Sequence, residues 1–152
     1  MESQEEVIDL LNTLLEESCD AKRGYQRAAE RVEEPTLKGL FMSLSSQRDN
    51  FKKSIREETR ALGGEPTQAT SAHSIQEAFS SPDLLFVLNT IEQTLEGCLR
   101  LEMDRLALYE KTLNGNDFEA STRNLLIGQR ENIKLTLADL RQSDNREKVL
   151  SA

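Results

Sequence analysis

Two short stretches, Gln47-Arg48-Asp49-Asn50-Phe51 and Gln129-Arg130-Glu131-Asn132-Ile133, repeat one pattern in the two halves of the chain. Each sets a Gln and an Asn one turn apart on the same face of a helix. A Glu-x-x-His pair at that spacing, supplied by each of two facing helices, is how a four-helix bundle holds a di-metal centre, with carboxylates for charge and imidazoles as nitrogen donors. Here both positions of both pairs carry neutral amides, whose oxygens are weak substitutes. The chemistry these residues support instead is hydrogen bonding. Each amide offers donors and an acceptor, so Gln47, Asn50, Gln129 and Asn132 are expected to face and satisfy one another with Ser18 and Glu102 closing the network, fixing helix register at some cost in stability; the alternative is that they lean to solvent at the edge of the stripe.

Four amphipathic helices are needed to position them, and the apolar periodicity supplies four. In the first, Val7, Leu11, Leu14, Ser18, Ala21, Tyr25, Ala28 and Val32 advance in steps of three and four. Pro35 suits the first turn of a second helix, whose stripe runs through Leu37, Leu40, Leu44, Gln47, Phe51, Ile55, Glu58 and Leu62 and stops at Gly63-Gly64. Ser81-Pro82-Asp83 reads as the cap and first turn of a third, striped by Leu84, Val87 or Leu88, Ile91, Leu95, Cys98, Leu101 with Glu102, Leu106, Tyr109 and Leu113. After the Asn114-Gly115-Asn116 turn, a fourth carries Phe118, Thr122, Leu125, Leu126, Gln129, Asn132, Ile133, Thr136 and Leu140. The first and third helices each place a tyrosine two turns beyond a polar residue, Tyr25 after Ser18 and Tyr109 after Glu102, so the halves look duplicated.

Loop lengths choose the topology. The first two helices and the last two are joined by only a few residues each and should form antiparallel hairpins. The segment between the second and third, with a possible short turn over Ile75-Gln76-Glu77-Ala78-Phe79, is far longer than a bundle turn needs. The expected fold is therefore all-α, two helical hairpins joined by a long crossover, in one domain over residues 1–142, with a polar tail over 143–152 that frays from Ser143.

Composition removes several function classes. A net charge of −8 without a Lys/Arg cluster opposes nucleic acid and anionic membranes as partners. No apolar run approaches the ~20 residues of a membrane-spanning helix, and the acidic start is unlike a secretory signal, which places the protein in the cytoplasm. Cys19 and Cys98 read as reduced, partly buried thiols, although a bridge is open to them if their helices adjoin. The one histidine, His73, falls in the crossover and reads as a surface residue. Glu16, Glu17 and Asp20, like Glu92 and Glu96, match a solvated acidic face better than a metal or acid-base site. No phosphate loop, nucleotide fingerprint or zinc spacing is present.

The Glu57-Glu58-Thr59-Arg60-Ala61-Leu62-Gly63-Gly64-Glu65-Pro66 segment, together with Tyr25 and Tyr109, gives the chain a family likeness. Over nearly all its length it resembles the ferritin-like superfamily, and within it a bacterial group of four-helix-bundle proteins of unknown function. The resemblance implies that metal-binding members would draw a Glu from each of the first and third helices and Glu-x-x-His from each of the second and fourth. Carried onto this chain, those positions are Ser18, the Gln47 and Asn50 pair, Glu102, and the Gln129 and Asn132 pair, so only Glu102 keeps its ligand type. His73 cannot replace a missing imidazole. The tyrosines are expected to pack in the core beside this polar network rather than carry redox chemistry.

A degenerate, metal-free bundle acting as a binding or structural module, without cofactor or catalysis of its own, is the expected function. The alternative is a di-iron or di-manganese oxidase, or an iron-handling protein, using Glu102 with acids such as Glu16, Glu17 or Glu58. A small molecule held among the amides and tyrosines is a third reading, its identity unknown. Leu85, Phe86, Leu99, Leu108, Leu135 and Leu137 lie off the central stripes, and apolar surface of that kind suggests a homo-oligomer, a dimer first.

Overall fold

The structure is a computed structural model that describes residues 3–68 and 90–151. Helix α1 (Gln4–Arg31) starts where the Ser3 side chain accepts a hydrogen bond from the Glu6 backbone N–H at 3.2 Å, with Glu5 and Glu6 in the positive first turn. All eight residues of its expected stripe, Val7 through Val32, are buried. Helix α2 (Pro35–Ala61) opens on Glu34, whose carboxylate accepts from the N–H groups of Thr36 (3.0 Å) and Leu37 (2.8 Å) ahead of a first-turn proline. It closes in a Schellman turn: Gly63 at φ 84° lets Gly64 N–H reach the Thr59 carbonyl while Gly63 N–H reaches that of Arg60.

Helix α3 (Ile91–Gly115) is capped by Thr90, which accepts from Gln93 N–H at 3.0 Å. It thus begins later than the Ser81-Pro82-Asp83 signal suggests; that signal, the 75–79 turn, His73, Leu85 and Phe86 lie outside the described residues. Helix α4 (Ala120–Ser151) does not fray at Ser143. It continues to Ser151, because Ser143 and Asp144 are buried against the bundle and Asp144 pairs with Lys148 one turn on at 3.0 Å. Leu137, expected at the surface, is buried as well, whereas Leu135 is 63% exposed.

α1 packs along α2 and α3 along α4, with α2 against α4 and α1 against α3 joining the hairpins. The core divides into two apolar clusters, one at each end. The first gathers the N-terminal half of α1 (Val7, Leu11, Leu14), the end of α2 (Ile55), the end of α3 (Leu113) and the start of α4 (Leu126). The second gathers the C-terminal half of α1 (Ala28), the start of α2 (Phe41), the start of α3 (Leu95) and Leu140 of α4. α2 therefore ends in one cluster and α3 begins in the other, so the connection between them must run the length of the bundle. This is the long crossover expected from the loop lengths, and a tight turn could not make it. Among the described residues there is no strand, and no helix is long and apolar enough to cross a membrane.

The crossover leaves α2 under tight control. The segment after the Schellman turn folds onto α1, where the Asn12 side chain donates to the Glu65 carbonyl (3.3 Å) and accepts from Thr67 N–H (2.9 Å). Gly64 lies so close to Ile8 that a Cβ there would sit 2.7 Å from its terminal carbon. Glu58, in the last turn of α2, accepts hydrogen bonds from Ser121 (2.7 Å) and Thr122 (3.1 Å), tying that end to the start of α4. The segment that carries the family likeness is thus the joint between α2, α1 and α4.

Candidate functional site: a buried ionic layer

Between the two apolar clusters lies a polar layer at mid-depth. Its centre is Glu102 of α3, fully buried, and Arg48 of α2, 1% exposed. The two meet as a fork against a fork: Arg48 Nη1 donates to Glu102 Oε1 at 2.8 Å, and Nη2 donates to Oε2. The Nε–H of the guanidinium donates to Gln47 Oε1 at 3.0 Å. Its planar face lies 5.0 Å from the Phe51 ring centre and 5.7 Å from that of Tyr25, within range of cation–π attraction. A second guanidinium, Arg105, reaches Glu102 Oε1 at 3.5 Å and Glu17 Oε1 at 3.2 Å. Two cations and two carboxylates balance, which is the condition for keeping such charges inside a bundle.

The two tyrosines flank the layer from opposite sides, Tyr25 in one apolar cluster and Tyr109 in the other. Tyr109 donates to Gln129 Oε1 at 2.7 Å, and Gln129 Nε2 in turn donates to the Phe51 carbonyl at 3.4 Å. The Tyr25 hydroxyl has no hydrogen-bond partner among the described residues. Burial, reinforced by Glu102, raises the Tyr25 pKa well above that of an ordinary phenol, and burial raises that of Tyr109 too. Both remain neutral in the physiological range.

Ser18, Glu102, Gln129, Tyr25 and Tyr109 are buried in or beside the layer. Gln47 is half-buried at its edge, where it also accepts from Thr136 at 3.3 Å. Asn50 and Asn132 are exposed, so the four amides do not converge and no amide-to-amide bond joins Gln47 to Gln129. The cause is the rotation of α2. Its inward series is Leu37, Phe41, Leu44, Arg48, Phe51, Ile55 and Thr59, one position away from the expected Leu40, Gln47 and Glu58 at three of its steps. Arg48 takes the place expected for Gln47. A signal for it exists in the sequence, since a buried Glu102 requires a counter-charge, but a guanidinium at helical spacing ordinarily reads as surface.

The layer offers little free chemistry. Both oxygens of Glu102 are engaged by guanidinium groups, and Ser18 turns its hydroxyl to the Leu14 carbonyl at 2.9 Å. Of the other acids considered, Glu16 is exposed, Glu17 holds Arg105, and Glu58 serves the joint at the end of the bundle. Among the described residues, no three His, Cys, Asp or Glu side chains are placed to hold a metal ion together. Cys19 and Cys98 are buried and are not joined in a disulfide.

The architecture is shared with known structures at low identity. A mutant of Dps1 from Mycobacterium smegmatis superimposes with a TM-score of 0.80 at 15% identity, covering 93% of this chain and 96% of that one. A dodecameric thioferritin, the bacterioferritin-related protein from Bacteroides fragilis, superimposes with a TM-score of 0.70 at 18% identity, covering 96% and 90%. No curated protein matches the sequence. A family model does match, over residues 6–115, and the chain belongs to the family it describes, a domain of unknown function (DUF2383) on a ferritin-like four-helix bundle.

Proposed function

We propose that this chain is a ferritin-like bundle whose di-metal positions have been given over to an internal ion pair, and that it acts as a self-associating binding or structural module rather than an oxidase. The observation that carries the reading is the Arg48 guanidinium on both oxygens of Glu102. A di-iron or di-manganese centre needs several carboxylates and imidazoles around it. Here the one retained carboxylate already faces two cations, Ser18 stands at a carboxylate position, Gln129 is bound to Tyr109, and Asn50 and Asn132 point outward. These residues do not fit such a centre, because a metal ion would have to displace a buried guanidinium and leave it uncompensated.

Self-association draws support from exposed apolar side chains, Met42 (57% exposed), Met103 (52%) and Leu135 (63%), and from the dodecameric state of the Bacteroides fragilis protein. A two-fold dimer is the simplest assembly unit. A cytoplasmic setting is the reading we attach to two buried cysteines, Cys19 and Cys98, that are not joined in a disulfide.

The test is metal retention. After incubation of the purified protein with ferrous or manganous ion and desalting, elemental analysis should return background metal, and light scattering should give a mass of more than one chain. Stoichiometric, tightly held metal would overturn the metal-free reading, and a monomeric mass the self-association.

A further inference from the structure

A cleft of about 440 Å³ runs along α1, lined by none of the residues of the ionic layer. Its cationic end is formed by Lys22 and Arg23 of α1 and Lys52 of α2, over the buried Cys19; further along α1 come Gln26, Arg27 and Glu30. Four basic side chains therefore line it against a single acid, on a protein whose net charge is −8. Asp49, outside the lining, is shared by three lysines: it is bonded to Lys22 at 3.0 Å and Lys53 at 3.3 Å and approached by Lys52.

Lys52 is the anomaly. It is only 8% exposed, and its ammonium lies 4.0 Å from Asp49, beyond hydrogen-bond reach. Burial, aided by the charges of Lys22 and Arg56, holds its pKa below the ordinary lysine value. A desolvated ammonium facing a cleft walled by other cations is costly unless an anion completes it.

We infer that this cleft is a binding site for a small phosphorylated molecule, its phosphate seated among Lys52, Lys22 and Arg23 and its polar remainder lying toward Gln26 and Glu30. Ammonium groups supply point charge and guanidinium groups the planar fork that suits phosphate oxygens. The volume falls in the range of small-molecule sites. Gln26 and the Glu30 carboxylate add acceptors for hydroxyl or amino groups, so a sugar phosphate or nucleotide suits the site better than a bare polyanion. This site is separate from the core layer, and it stands or falls independently of the metal-free reading.

Inorganic pyrophosphate and ribose 5-phosphate are the probes, titrated calorimetrically into the full chain at low salt. Saturable binding of one probe molecule per chain is expected, weakened at least tenfold by Arg23→Gln and by Lys52→Met. Lys111→Gln, which removes an equal charge from an exposed residue of α3 outside the cleft, should leave it unchanged. Arg23 is half-exposed, so that variant reports on the site even if Lys52→Met perturbs the fold. Absence of saturable binding at millimolar probe, indifference to Arg23→Gln, or an equal loss in Lys111→Gln would overturn the assignment, the last by showing only general attraction to positive charge.

Discussion

Tyr109 and Tyr25 occupy equivalent places on the two sides of the ionic layer, yet only Tyr109 has a hydrogen-bond partner among the described residues. Tyr109→Phe leaves the buried Gln129 carbonyl without its donor and should cost ~1–3 kcal/mol in urea unfolding, while Tyr25→Phe removes a hydroxyl that bonds nothing described and should be neutral or stabilising. Both phenols titrate above their unfolded value, chiefly through burial. The stability they contribute is therefore complete below the unfolded pKa of ~10 and is lost as pH rises through it toward the folded values. The double Phe variant should lose stability less steeply above pH ~10 than the native protein. Five of the eight residues picked from the sequence, Ser18, Tyr25, Glu102, Tyr109 and Gln129, are buried in or against the layer because each falls in step with buried neighbours, and Gln47 touches its edge. Arg48 was not legible. The α2 series passes equally well through Gln47 or Arg48, and the neutral amide is the cheaper residue to bury, so pattern alone selects the wrong one.

At the level of elements, stripes and caps carried most of the information. The α1 stripe is buried throughout, Pro35 sits in the first turn of α2, and Gly63-Gly64 closes it. Less legible were the start of α3 and the end of α4, where tertiary packing of Ser143 and Asp144 outweighs a polar local sequence. The turn after α2 carries a stricter demand than conformational freedom, for Gly64 admits no Cβ beside Ile8. Gly64→Ala should cost ~1–3 kcal/mol by overpacking. In an Ile8→Ala background, where that space is open, the same substitution should cost less, as thermal unfolding of the four proteins would show.

For the whole molecule, the ionic layer divides the core into two apolar clusters and joins α2 to α3, helices that belong to different hairpins. A buried pair of this kind adds little net stability over an apolar replacement but makes the loss of one partner expensive. It also fixes how the hairpins dock, since a slip of either helix would strand a charge. The central claim is that Arg48 and Glu102 form one interdependent unit at the centre of the bundle. A urea-unfolding cycle of Arg48→Met, Glu102→Leu and the double variant measures it directly. Each single substitution should cost ~3–5 kcal/mol and the double variant clearly less than their sum, whereas additive costs, or single substitutions near zero, would contradict the account.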